Sequence, residues 1–281
     1  MHVFDTPSEM NRWALEQHAS GKRIGFVPTM GALHSGHIAL VDRARELSDS
    51  VVVSIFVNKL QFNVPEDFNK YPRTIEADLA QCEQAGVQAV YAPTHEAMYP
   101  PDFDTRIVPG NLALTMEGSS RPGHFEGMAT VVAKLFNTVM PHVAVFGEKD
   151  YLQGAIVLAV VQDLNMPVIV DGFPTVREAD GLALSSRNIR LTTQARARAR
   201  VIPDSLRMAK EMFESGVRDA RRIETAVVTQ IAAVDGARID YVQVADAFSL
   251  EEVQTITRDV VLAVAVWFDE VRLIDNVVLR D

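Results

Sequence analysis

Apolar and polar positions alternate between two rhythms along this chain. Ile24-Gly25-Phe26-Val27 is a short run with strand character, closed by Pro28 and Gly31. From His37 the rhythm turns helical: Ile38, Val41 and Ala44 recur at helical spacing, with Asp42, Arg43, Arg45 and Glu46 between them. Upstream, Thr6-Pro7-Ser8-Glu9 reads as a helix start, with Thr6 as N-cap, Pro7 at the first helical position and Glu9 completing a capping box; Gly21 ends that helix. Val51 to Val57 is nearly continuously apolar, the pattern of a parallel strand covered on both faces. A helix over 74–85 stops at Gly86, and Val87 to Ala92 reads as a strand. Val131, Val132, Leu135, Phe136, Val139 and Met140 mark a further helix, followed by a strand over 143–146, a helix over 151–164 and a strand over 168–170. Alternating strands and helices predict an α/β domain with a parallel sheet and right-handed crossovers.

After about Val176 the style changes. The spacing predicts helices over 192–214 and 223–234, then strands over 241–244, 260–266 and 273–279. Helices followed by strands predict a smaller α+β domain, so the expected division is 1–176 and 177–281. Arg196, Arg198 and Arg200 read as a solvated charged face. The Pro-rich stretch from Pro93 to Pro109 reads as a long loop, of the kind that tends to be functional or mobile.

Composition narrows the class. The chain has 281 residues, 48% hydrophobic and 23% charged, as expected of a folded globular protein. A net charge of −10 argues against a nucleic-acid partner, which needs a basic surface. The single cysteine, Cys82, rules out an internal disulfide and falls in a predicted helix, where it reads as a small core residue. No signal-peptide pattern opens the chain and no apolar run is long enough to span a bilayer, so a cytoplasmic enzyme or binding protein is expected.

Candidate chemistry clusters at the predicted C-terminal ends of the strands, where ligands bind in parallel sheets. His34 and His37 lie three apart at the mouth of a helix, with Gly36 between them. A helix start offers unpaired N–H groups and partial positive charge, so this element suits a phosphate. Two histidines there also fit a cap. The zinc-protease helix pattern is absent, and one cysteine supplies no thiolate cluster. Gly147-Glu148-Lys149-Asp150 offers a cation for phosphate and a carboxylate for ribose hydroxyls; an ordinary strand-to-helix loop fits equally. Gly181-Leu182-Ala183-Leu184-Ser185-Ser186-Arg187-Asn188 offers two hydroxyls and a guanidinium, or a capping loop. Asn58 and Gln61 present neutral amides, suited to hydroxyls and carboxylates. Neither the Walker lysine loop nor a G-x-G-x-x-G fingerprint occurs.

Taken in order, Pro-Thr-Met-Gly-x-Leu-His-x-Gly-His, Ser-Ile-Phe-Val-Asn-x-x-Gln-Phe, Tyr-Pro-Arg-Thr, Arg-Pro-x-His-Phe, Phe-Gly-Glu-Lys-Asp-Tyr and Ser-Ser-Arg-Asn resemble the pantothenate synthetases, or pantoate–β-alanine ligases. The resemblance covers nearly the whole chain. The His-x-Gly-His element alone would show only the wider nucleotidyltransferase-like group. The resemblance implies a Rossmann-like parallel sheet with flanking helices plus a smaller α+β C-terminal lid domain. It implies two steps: pantoate attacks the α-phosphate of ATP, and β-alanine then displaces AMP from pantoyl adenylate. It places ATP along Met30, Gly31, Ala32, Leu33, His34, Ser35, Gly36 and His37, with His34 and Lys149 on phosphate and His37 as proton donor. Gly147, Glu148, Lys149, Asp150, Val176, Leu184, Ser185, Ser186 and Arg187 complete the implied nucleotide set. Gln61 is implied for pantoate and β-alanine and Gln153 for pantoate, with Asn58, Arg121 and His124 alongside. Mg²⁺ is implied with ATP, near Asp78, with no tightly bound organic cofactor; a homodimer is implied.

The chain has Asn58-Lys59-Leu60-Gln61 where the family usually has Asn-Pro-x-Gln, so Lys59 replaces the proline and the loop there is expected to be freer. Leu152 stands where the family has a second glutamine, Leu184 where methionine is common, and the glycine usual before Arg272-Leu273-Ile274-Asp275-Asn276 is missing. A nucleotidyltransferase that stops at an adenylated product, and a nucleotide sensor without turnover, are the competing readings. β-Alanine-dependent turnover separates the first, and ATP binding without turnover marks the second.

Overall fold

The computed structural model describes residues 1–63 and 65–280. In chain order the elements are β1 (His2–Phe4), α1 (Pro7–Ala19), β2 (Ile24–Thr29), α2 (Ser35–Leu47), β3 (Ser50–Ile55), α3 (Pro65–Lys70), α4 (Ile75–Gln84), β4 (Ala89–Tyr91), α5 (His95–Met98), α6 (Glu117–Ser120), α7 (His124–Val139), β5 (Val143–Gly147), α8 (Tyr151–Asp163), β6 (Ile169–Phe173), α9 (Thr193–Ala199), α10 (Val201–Glu214), α11 (Ala220–Ala232), β7 (Ala237–Asp246), β8 (Val260–Phe268) and β9 (Val271–Leu279). They form two compact units. One comprises residues 1–113, 121–148 and 153–174, the other 114–120, 149–152 and 175–281.

The first unit is built on a six-stranded sheet of order β1-β4-β3-β2-β5-β6. Every strand pair in it is parallel. All six residues of β3 are buried, as its unbroken apolar run demands. Val27, Val51, Val53 and Ile55 pack with Val41 and Ala44 of α2 and with Cys82 of α4. Cys82 is thus a core residue, and burial pushes its thiol up to about 11. The sheet order reverses at β2, whose neighbours β3 and β5 follow it on opposite sides. The loop leaving β2 therefore lies at the topological switch point, where such sheets bind ligands.

The second unit has an antiparallel sheet β7-β8-β9. Ile202, Leu206, Ala209 and Phe213 form one stripe of α10; Ile223, Val227 and Ile231 form one stripe of α11. Both stripes join Val260, Leu262, Val264 and Val266 of β8 in one core. The α/β architecture with a smaller α+β part is as the sequence predicts.

Several local expectations change. The helix expected over 192–214 is two helices, α9 and α10, joined at Arg200. The arginine run is not simply solvated: Arg196 pairs with Glu178 and Asp180, and Arg198 with Asp269. The long loop holds a helical turn, α5, with Thr94 Oγ1 accepting from the Ala97 N–H at 3.1 Å. Among the described residues no helix is long and apolar enough to cross a membrane.

Candidate active site

The loop from β2 into α2 is held by a short set of polar contacts. Thr29 Oγ1 donates to the Ser54 carbonyl at 2.7 Å and accepts from the Gly31 N–H at 3.1 Å. Gly31 has a φ of +83°, and a side chain there would meet Asp78 Oδ2 at 3.0 Å and Ile55 at 3.1 Å. Glycine is required twice over, by conformation and by space. Ala32 follows at a φ of 51°, rare for a residue with a side chain. The compensation is Asp78, 1% exposed, whose carboxylate accepts the Ala32 N–H at 3.0 Å and the Leu33 N–H at 2.8 Å. Thr74 adds its hydroxyl at 3.2 Å.

This loop delivers His34 in extended conformation as the N-cap of α2. His37 Nδ1 accepts the His34 backbone N–H at 3.3 Å. That contact assigns the proton of the neutral His37 ring to Nε2. The two rings lie 4.0 Å apart between centroids, tilted by 31°. The helix start thus carries two adjacent imidazoles as well as its first N–H groups.

A second cluster lies beside the first. Asn58 caps a 3-10 turn, Lys59–Gln61, by accepting the Leu60 N–H at 3.3 Å. Its amide nitrogen donates to the Gly127 carbonyl and to Gln61 Oε1, both at 3.0 Å. The Gln61 amide nitrogen reaches Met30 Sδ at 3.2 Å. The Gln61 carbonyl lies 2.7 Å from His124 Nδ1 and 3.4 Å from Arg121 Nη2. Met30, Asn58, Gln61, Arg121 and His124 are therefore brought together within the first unit. The loop without its proline is not free: it is a capped turn pressed against α7. Lys59 is exposed, although its charge helps burial lower the His95 pKa.

In the second unit, Lys149, Ser185, Arg187, Asn188, Arg272 and Asp275 line one cavity. Ser185 caps the 3-10 turn Ser186–Arg190 by accepting the Arg187 N–H at 3.2 Å. Asn276 donates to the Lys149 carbonyl at 2.8 Å. Asp275, 3% exposed, takes a two-pronged contact from Arg177 at 2.7 and 3.0 Å.

A family model described as pantoate-beta-alanine ligase matches residues 2–278. The chain belongs to the pantoate–β-alanine ligase family. It is 47% identical over 279 residues to a pantothenate synthetase of Thermotoga neapolitana, covering 99% of this chain and 100% of the relative. It is 50% identical over 278 residues to one of Pseudomonas putida, covering 98% and 96%. Among solved structures, a pantothenate synthetase from Thermus thermophilus superposes with a TM-score of 0.93 at 43% identity, covering all of both chains. A pantoate-beta-alanine ligase from Francisella tularensis, solved in complex with beta-gamma ATP and beta-alanine, gives 0.79 at 33% identity, covering 99% and 97%.

The remaining expected residues fall on turns, strand ends and the first turn of α8. Gly147 ends β5, and the Glu148 N–H donates to the Phe173 carbonyl at 2.9 Å. Asp150 is exposed, and Gln153 is half-buried on α8. Val176 accepts the Leu184 N–H at 2.9 Å, closing a short hairpin. Leu152, the residue in place of a glutamine, is 5% exposed and packs as core. Asp78 does not fit direct ligation of Mg²⁺, because its carboxylate is committed to two loop amides and a hydroxyl. Among the described residues no cluster of three or more His, Cys, Asp or Glu side chains could hold a metal. Sequence reasoning missed Tyr99, Gly127 and Arg177. The apolar spacing over 273–279 and the Arg-Leu-Ile-Asp-Asn stretch signalled the strand whose Asn276 holds Lys149.

Proposed function

We propose a division of labour among these residues for the ligase reaction of the family. The chain condenses pantoate with β-alanine at the expense of ATP. A pantoate carboxylate oxygen forms a bond to the α-phosphorus and pyrophosphate leaves. The β-alanine amine then attacks the acyl carbon of pantoyl adenylate, AMP leaves, and the amine loses a proton. No protein nucleophile is needed, so the residues act by positioning and by stabilising charge.

The loop Met30 to His37 and the start of α2 bind ATP phosphate, and the Nε2 proton of His37 offsets charge on the departing pyrophosphate. Gln61 binds the pantoate carboxylate or hydroxyls, with Gln153, Asn58, Arg121 and His124 completing that subsite. Lys149, Ser185, Ser186 and Arg187 act on phosphate, Asp150 on ribose, and Val176 on the adenine. Mg²⁺ would accompany ATP and would supply neutralisation of phosphate charge, with no cluster of carboxylates among the described residues set to hold it. The chain works in the cytoplasm as a homodimer without nucleic acid, in keeping with its net charge of −10.

The single observation that supports the assignment is the 3.2 Å contact of Gln61 with Met30. It puts the amide expected to grip pantoate against the loop expected to carry ATP. The test is product analysis. Pantoate with Mg²⁺-ATP should release pyrophosphate up to about one equivalent per site. Adding β-alanine should give steady AMP and pantothenate. No AMP with all substrates present would sink the assignment.

A further inference from the structure

Asn58 cannot turn over in its site. One side of its amide faces the Leu60 N–H, which only donates, and the other faces the Gly127 carbonyl, which only accepts. The side chain is 1% exposed, so a reversed amide would bury two mismatched pairs. Its nitrogen therefore meets Gln61, and Gln61, 7% exposed, must answer with its oxygen. That leaves the Gln61 NH₂ group on the Met30 side as a donor. A further bond reaches this pair from another segment: Tyr99 donates its hydroxyl to Asn58 Oδ1 at 2.8 Å.

Tyr99 itself is boxed. Its ring lies 4.9 Å from Phe103, 5.7 Å from His95 and 6.0 Å from Phe56 between centroids. The Lys134 ammonium sits 5.8 Å from its centroid. Burial pushes the Tyr99 hydroxyl pKa up, so it keeps its proton and stays a donor at neutral pH.

We infer that Tyr99 is a positioning residue for pantoate: through Asn58 it holds the NH₂ end of Gln61 toward the substrate oxygens. The Pro93–Pro109 loop then has a task, which is to carry the Tyr99 hydroxyl to the back of the pantoate subsite. This rests on the assignment of Gln61 to pantoate. A donor at that position selects a carboxylate or hydroxyl and disfavours an amine.

Steady-state kinetics on the full chain test it, with pantoate varied at saturating Mg²⁺-ATP and β-alanine. Tyr99→Phe keeps the ring in its box and removes one hydrogen bond. The KM for pantoate should rise about five- to twenty-fold, with the KM for ATP changed by less than about twofold and the melting temperature held. In a Gln61→Ala background the same substitution should have no further effect. Gln61→Glu should weaken pantoate binding when ionised and regain it as pH falls and the carboxyl gains an O–H donor. A pantoate KM unmoved by Tyr99→Phe but raised by Gln61→Ala overturns the role of Tyr99 and leaves the Gln61 assignment standing. A pantoate KM unmoved by Gln61→Ala overturns both. A Gln61→Glu variant whose pantoate KM ignores pH overturns the donor polarity.

Discussion

Gly127→Ala should cripple pantoate use while leaving the fold intact. Gly127 is buried as the fourth residue of α7, against the backbone of the Lys59–Gln61 turn. A methyl group there would stand 2.6 Å from the Gln61 nitrogen and closer still to the Leu60 carbonyl. Ordinary contact with carbon lies near 3.5 Å, so the turn must retreat by about 1 Å. Backbone cannot rotate aside as a side chain would. The retreat carries Gln61 with it and stretches the 3.0 Å bond from Asn58 to the Gly127 carbonyl. Overpacking of this kind costs about 1–3 kcal/mol. Alanine returns about 1 kcal/mol of helix propensity. Net destabilisation is therefore modest, about 0–2 kcal/mol. Misplacing a substrate-positioning group by about 1 Å costs on the order of a hundredfold in rate. Pyrophosphate release with pantoate varied should show kcat/KM for pantoate down about a hundredfold, and equilibrium unfolding should show a stability change of less than about 2 kcal/mol. Wild-type kcat/KM for pantoate in a folded Gly127→Ala chain would refute the argument that this close approach sets the subsite.

Three other outcomes follow from the same geometry. His37→Ala should lower kcat by about 10²–10⁴ while the ATP dissociation constant moves far less, since its proposed task is charge that develops during reaction; equal losses, read by kinetics and calorimetry, would reduce it to a binding group. Asp78→Asn keeps one acceptor where two loop amides need one each, so the KM for ATP should rise about tenfold and excess Mg²⁺ should not restore it; rescue by Mg²⁺ would make Asp78 a metal ligand after all. The hydrogen bond from Arg196 holds the Glu178 pKa below the usual range. That stabilisation is present above the unfolded glutamate pKa and is lost as pH falls through the lower folded value, so the melting-temperature gap between wild type and Glu178→Gln should close in acid. A gap that persists there would contradict the pairing.

The chemistry-bearing segments were legible because the family pattern is written in short contiguous runs. Helix and strand limits shifted by a few residues at most in the parallel sheet, but its edge strand β1, three residues at His2–Phe4, was not predicted: so short a run carries no period. The break at Arg200 and the pairing of Arg196 and Arg198 were not legible, since their partners lie far along the chain at Glu178, Asp180 and Asp269. Missing a proline at Lys59 suggested a looser loop, yet Asn58 caps it and α7 supports it, the latter through a long-range backbone group.

Periodicity and motif order by themselves determined the two rhythms of secondary structure, the parallel sheet, the family, and the residues set out at strand ends. These depend on near neighbours, on a 3.6 or 2 residue period and on runs of a few positions. Only the tertiary structure decided what holds those residues in working geometry. Asp78 reaches back 45 positions to the Leu33 amide, Tyr99 reaches 41 to Asn58, and Asn276 reaches 127 to Lys149. The reason is physical: a hydrogen bond needs its partners within about 3 Å, and which distant residues meet at that range is set by packing, not by any local pattern.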